Sequence, residues 1–186
     1  MTSKTEDRNR DDDVPTEKKL DDLYELIDGI EVAMMTTRRP DGRLVSRAMQ
    51  TQERREHADL WFVTDVQSDK LDELAHDPNV NLAYYKDRTR EWVSVSGRAI
   101  LTQDRNLIRG LYKPDWKLWF PDEGGERDGG PDDPRLALIL VEAQSVVYSK
   151  KDRPTLLVAF EMARAFVTGS EPKVADLRHI EGNELR

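Results

Sequence analysis

Apolar positions along this chain switch between two periods, and the switches mark its elements. Leu20, Leu23, Tyr24 and Ile27 fall at i, i+3, i+4 and i+7, one face of a helix, and Gly29 is placed to close it. Glu31–Thr37 then reads as a strand with Val32, Met34 and Met35 as core-type residues. Pro40-Asp41-Gly42 is a turn signal, and Arg43–Gln52 is the returning strand of a hairpin. After a charged loop over Gln52–Asp59, Leu60–Thr64 alternates as a third strand. At Thr64-Asp65 the period changes: Leu71 and Leu74 form an apolar stripe, with Lys70, Asp72 and Glu73 on the wet side of a short helix that stops near Asp77-Pro78. Asn79–Tyr85 and Glu91–Leu101 are the fourth and fifth strands. Gly97 interrupts the fifth and suggests a bulge or a close backbone approach.

Downstream, Asp104 is set to cap a helix to about Leu111, and Pro114–Phe120 is a second short helical piece. Pro121–Pro134, rich in Gly, Asp and Pro, is a loop or lid. Arg135–Val141 and Ser145–Ser149 read as two apolar strands. Thr155–Val167 is a terminal helix whose apolar residues nearly encircle it, which calls for cover on both sides, by the barrel and by a second subunit. Short loops between strands of this kind predict a mainly β protein with flanking helices, an antiparallel barrel and not an alternating β-α-β sheet. The expected organisation is a disordered polar tail over residues 1–15, one domain over 16–168 and a polar extension over 169–186.

Composition narrows the function. The chain has 186 residues, enough for one domain with a proper core. It has no cysteine, which removes disulfides, thiolate metal sites and a cysteine nucleophile. No run approaches the ~20 apolar residues of a membrane helix and no signal-peptide core follows Met1, so a soluble, cytoplasmic protein is expected. The net charge of −8 repels nucleic acid and anionic membranes. His57, His76 and His179 are scattered, and neither metal-ligand spacing nor a nucleophile-elbow or P-loop pattern is present.

An acidic protein that binds a phosphate must gather cations at one spot, and the strand-to-helix junction is the place where this chain offers to do so. Thr64, Ser68 and Lys70 lie there, at a helix start whose N–H groups carry partial positive charge. Arg47 on the hairpin is a second cation. Simpler readings stand beside these: Ser68 or Asp69 as a cap, Lys70 as a solvated charge, and Arg47 in a salt bridge with a carboxylate.

Taken together, Arg47–Gln52, Leu60–Asp65, Ser68-Asp69-Lys70, Asn79–Tyr85 and Val93–Ala99 resemble the flavin-binding split-barrel family, the superfamily of pyridoxamine 5′-phosphate oxidase, and within it the general stress protein branch. The likeness runs from about Leu20 to about Thr168. It implies FMN (with FAD or a deazaflavin as alternatives) bound at the interface of a homodimer. By position in the motif, Arg47, Ser68 and Lys70 would hold the phosphate, with Thr64 near the ribityl–phosphate end. Met49 and Gln50 would line the isoalloxazine edge, with a core methionine and an exposed glutamine as the other readings. Val63 and Thr64 would pass beside the ring, and Tyr84, Tyr85 and Trp92 offer flat faces near it. Trp119-Phe120-Pro121-Asp122 and Asp132-Asp133-Pro134 resemble the branch's W-F-P and D-D-P pattern. Trp119, or else Trp116, would cover the flavin or anchor the loop.

The chain departs from that pattern in three places. It has Arg47-Ala48-Met49 where the branch often has Arg-Pro-Met. The segment between Trp119 and Asp132 is longer. Arg178 and His179 do not form the basic terminal pattern that seizes substrate phosphate in pyridoxamine phosphate oxidases. The resemblance therefore implies a flavin-binding protein whose chemistry, as electron or hydride transfer, belongs to the cofactor. It leaves two alternatives: a true oxidase or small-molecule reductase, and a non-catalytic split-barrel interaction module. No side chain is singled out as a general acid or base.

Overall fold

A computed structural model describes residues 10–11, 13–53, 60–151, 155–169 and 176–185. Its elements in chain order are α1 (Thr16–Ile30), β1 (Val32–Arg38), β2 (Leu44–Gln50), β3 (Leu60–Asp65), α2 (Lys70–His76), β4 (Asn79–Lys86), β5 (Glu91–Thr102), α3 (Arg105–Leu111), a 3-10 turn (Pro114–Leu118), β6 (Leu136–Lys150), α4 (Thr155–Thr168) and β7 (Asp176–Glu181). The strands form one sheet with the hydrogen-bonded order β2-β1-β4-β5-β6-β3, and β7 pairs with β6. The fold is mainly antiparallel β with four α-helices among the described residues, as the alternation predicts. No described helix is long and apolar enough to cross a membrane. The expected tail falls mostly on residues 1–9 and 12, and much of the loop before β3 on 54–59; both lie outside the described residues.

Contacts divide the chain into two compact units. The first comprises residues 1–32, 82–96 and 144–186. In it the buried face of α1 is Lys19, Asp22, Leu23, Leu26 and Ile27, rotated from the expected Leu20-Leu23-Tyr24-Ile27 stripe. The cause is polar. Asp22 is 5% exposed and is bonded by Arg178 of β7, by Lys150 Nζ of β6 at 2.5 Å and by Lys18 Nζ at 3.0 Å. Tyr148 Oη donates to the Lys19 carbonyl at 2.9 Å. Burial pushes the Asp22 carboxyl up, but the bonds from Lys150 and Lys18 outweigh it and hold the group below the usual carboxylate range. Helix α1 also runs past Gly29 to Ile30, and the left-handed residue that ends it is Glu31 (φ 67°). The region expected to be a polar extension contains β7, paired antiparallel with Ser145–Lys150. Polar β7 residues are buried through ion pairs, so hydropathy alone passes over the strand.

The second unit comprises residues 33–81 and 97–143. Here β3 pairs antiparallel with the first half of β6, from Leu60 opposite Val141 to Asp65 opposite Leu136. The two apolar segments expected as separate strands are one continuous β6. It stays extended through Glu142-Ala143-Gln144 and changes partner from β3 to β7 across that polar stretch. Gly97 marks a close approach: a Cβ there would stand 2.5 Å from the Glu142 carbonyl oxygen. The core of this unit joins Trp61, Ile108, Leu111, Trp116, Phe120 and Leu138.

Segment 121–134 is anchored and does not hang as a lid. Arg135, 4% exposed, donates from Nη2 to the Pro121 carbonyl at 2.8 Å and to Asp133 Oδ2 at 2.6 Å. Asp133, fully buried, also accepts from the Gly129 amide at 2.8 Å and the Arg135 amide at 2.9 Å. Gly129 (φ +69°) lies so close to the chain that a Cβ would meet the Phe120 carbonyl oxygen at 2.1 Å. The Asp and Gly residues that make this stretch look loose are the groups that fasten it.

Candidate functional site

The second unit holds a cleft of about 250 Å³. It is lined by Ala48, Met49 and Gln50 of β2, Val63 and Thr64 of β3, Lys70 of α2, and the aromatic residues Trp116, Trp119 and Phe120. Of the residues proposed from sequence, Met49, Gln50, Val63, Thr64, Lys70 and Trp119 are brought together around this space. Arg47 and Ser68 do not line it directly. The carboxylates of Asp65 and Asp115 and the amide of Gln52 also line the cleft and carried no sequence signal. The two tryptophans separate clearly. Trp116 is 3% exposed, packs edge-on against Tyr112 at 5.5 Å and donates from Nε1 to Gln52 Oε1 at 3.3 Å, so it is a wall. Trp119 is 77% exposed beside the cleft.

At the strand-to-helix junction, Lys70 Nζ donates to Thr64 Oγ1 at 2.8 Å and to Ser68 Oγ at 2.7 Å. Its partners are hydroxyls, and among the described residues it forms no ion pair. Burial, and next the Arg47 guanidinium, push Lys70 below the usual ammonium range. The junction's amides contribute less than expected. Val66, Gln67, Ser68 and Leu71 already donate to Arg135 O, Asp65 Oδ1, Asp65 O and Ser68 O, at 2.7–3.1 Å. Helix α2 has seven residues and no side-chain cap, so side chains, and not a helix dipole, give this corner its charge.

Arg47 occupies a ring of bonds. Its Nη1 donates to Thr37 Oγ1 at 2.7 Å and its Nη2 to Glu73 Oε2 at 2.8 Å, while Thr37 Oγ1 and Glu73 Oε2 lie 2.5 Å apart. Arg39 Nε reaches Glu73 Oε1 at 3.4 Å. Glu73, expected on the wet side of its helix, is 3% exposed. Burial pushes its carboxyl up, but the bonds from Thr37 and Arg47 prevail and hold it below the usual range. The salt bridge weighed for Arg47 is thus present, and its partner is buried.

The model of the family described as pyridoxamine 5′-phosphate oxidase like matches residues 18–173. The chain belongs to the pyridoxamine 5′-phosphate oxidase-like family. Among its relatives, Protein bli-3 of Neurospora crassa is 35% identical over 181 residues, covering 96% of this chain and 87% of that one. Two solved structures share the fold. A putative general stress protein 26 from Jannaschia sp. CCS1 superposes with a TM-score of 0.65 at 19% identity, over 89% of this chain and 99% of that one. A pyridoxamine 5′-phosphate oxidase-related, FMN binding protein from Nostoc punctiforme PCC 73102 gives 0.55 at 19% identity, over 72% and 81%. The split-barrel fold expected from the motifs is that of these neighbours.

Proposed function

We propose that this chain is an FMN-binding protein of the general stress type. The phosphate end of the flavin is held by Lys70, Ser68 and Thr64 with Arg47 behind them. The ring system lies along Met49, Gln50 and Val63 under Trp119. The observation that carries this reading is Lys70: a half-buried ammonium held by two hydroxyls, in the lining of a largely apolar cleft. A cation in that position has given up part of its hydration for two hydroxyl bonds and no direct ion pair among the described residues, with Asp65, Glu73 and Asp69 acting on it only at longer range. A phosphate would supply the missing charge, and Ser68 and Thr64 would add hydroxyl bonds. The apolar floor and the exposed indole suit a flat heteroaromatic ring.

The cleft of one chain, about 250 Å³, is smaller than the ~300–1,000 Å³ typical of small-molecule pockets. This supports a site completed by a second copy of the chain. A bound flavin supplies electron or hydride transfer, and the chain supplies binding, orientation and exclusion of water.

The test is the visible spectrum of freshly purified protein, followed by titration with FMN and with riboflavin, which lacks the phosphate. Flavin peaks and a clear preference for FMN are expected. Lys70→Ala and Arg47→Ala should each lower FMN affinity about tenfold or more, the loss of one charge-assisted bond. A colourless protein that ignores added FMN, or equal affinity for the two flavins, overturns the reading. A spectrum of FAD or of a deazaflavin would replace the cofactor and keep the cleft.

A further inference from the structure

Glu73 has no evident reason to be where it is if the corner exists only to attract an anion. A buried carboxylate beside a phosphate site opposes the ligand. Its position nevertheless follows from the chain: Lys70 and Glu73 lie on the same short helix, and Glu73 closes the ring with Thr37 and Arg47 while Arg39 approaches its other oxygen. Without Glu73, the cations Arg39, Arg47 and Lys70 would face one another across a partly dry corner, and the Arg47 charge is already felt at Lys70.

We propose that Glu73 is the internal counter-ion of the phosphate end of the cleft, a positioning residue that holds Arg47 while no anion is bound and yields it, in part, to the phosphate. This rests on the phosphate reading above and adds to it the charge that the ligand must compete with. Three observations make the exchange feasible. Arg47 uses Nη1 and Nη2 in the ring, and a guanidinium has five N–H donors, so it can turn an edge to a second acceptor without leaving the first. Its side chain is 22% exposed, so it is reachable, whereas that of Glu73 is 4% exposed. Glu73 has three partners, so it keeps Thr37 and Arg39 when Arg47 shifts and is not left as a bare buried charge. Glu73 therefore stabilises the empty protein and opposes the loaded one. It tunes affinity through Arg47 and only for ligands that carry the phosphate.

The experiment compares wild type with Glu73→Gln, which keeps the shape and removes the charge. FMN and riboflavin are titrated into each, and the melting temperature is taken without ligand. The expected result is a lower melting temperature and an FMN-over-riboflavin preference raised about tenfold, one charge-assisted bond no longer contested. A preference that is unchanged or reduced overturns the proposal, because a merely structural glutamate would affect both flavins alike. Should Glu73→Gln fail to fold, the wild-type protein still decides. The side-chain carboxyl carbon resonance of Glu73, followed by NMR, should shift with FMN and with inorganic phosphate and stay fixed with riboflavin; a resonance that ignores all three overturns the proposal. A wild type with no preference for FMN, or a preference that Lys70→Ala leaves intact, sinks this inference together with the phosphate reading. A preference abolished by Lys70→Ala but untouched by Glu73→Gln sinks this inference alone.

Discussion

Lys70 is half-buried with hydroxyl partners and no direct ion pair among the described residues, and that has a measurable cost. Burial, then the Arg47 charge, holds its pKa below the ordinary lysine value of 10.5. The folded chain therefore holds this proton less tightly than the unfolded chain. The penalty is fully present below the folded pKa and fades as pH rises from there toward 10.5. Lys70→Met keeps the apolar stem and removes the charge, so it should raise the melting temperature of the ligand-free protein at pH 7. The gain should be under about 1 kcal/mol, because water still reaches much of the side chain. It should shrink as pH approaches 10, and FMN affinity should fall throughout. A lower melting temperature would mean that the bonds to Thr64 and Ser68 outweigh the burial. Residue type and spacing were enough to group Lys70, Ser68 and Thr64, which the structure joins by hydrogen bonds, because hydroxyls near a lysine at a strand-to-helix junction are a local pattern. Glu73 was not found. Its partners Thr37, Arg39 and Arg47 are distant in sequence, and one carboxylate among 37 acidic residues carries no mark of burial.

Segment 121–135 depends on one buried pair. The bond from Arg135 first, with those from the Arg135 and Gly129 amides, outweighs burial and draws the Asp133 carboxyl down to about 2. Its folded pKa lies below the unfolded 3.8, so its contribution is fully present above about pH 4 and is lost as pH falls toward 2. Asp133→Ala leaves the buried Arg135 guanidinium with only the half-exposed Glu123 carboxylate as counter-ion and frees the Gly129 amide; a destabilisation of about 3 kcal/mol, the low end for a broken buried pair, is expected. Denaturant unfolding at pH 7 and at pH 2.5 checks both claims. The variant should lose much less stability than wild type between the two, and a parallel loss would assign the acid sensitivity elsewhere. Phe120 and Trp119 hang from the start of this segment, so its anchoring also sets the far wall of the cleft. At this scale, sequence pattern located β1 to β5 to within a few residues: β1, β4 and β5 alternate buried and open positions over most of their length, and β3 is a short apolar run buried on both faces. It failed on β6 and β7. Glu142 and Gln144 look like an interruption but stay within the strand, and Asp176 and Arg178 look solvated but are buried, Arg178 against the Asp22 carboxylate.

A chain of net charge −8 that binds a dianion must confine its cations and shield the ligand from the rest of its surface. The cleft of one copy is about 250 Å³, and Trp119 and its neighbour Leu118 are 77% and 81% exposed. Exposed aromatic and aliphatic groups at the mouth of a partial site lose apolar surface to water-free contact only if something covers them. Helix α4 repeats the theme, with Phe160, Met162, Phe166 and Val167 between 57% and 92% exposed. A second copy of the chain would satisfy both, and it would make cofactor affinity depend on protein concentration. Sedimentation velocity should therefore give a dimer with one FMN per chain. Dilution below the dimer's dissociation constant should release the flavin, with recovery of its fluorescence. Trp119→Ala should weaken FMN and riboflavin by similar factors, since the indole would meet the ring and not the phosphate. That distinguishes it from Lys70→Ala, which should affect FMN alone. A monomer that keeps full FMN affinity at every dilution would show that a single cleft suffices, and the exposed apolar groups would then need another occupant.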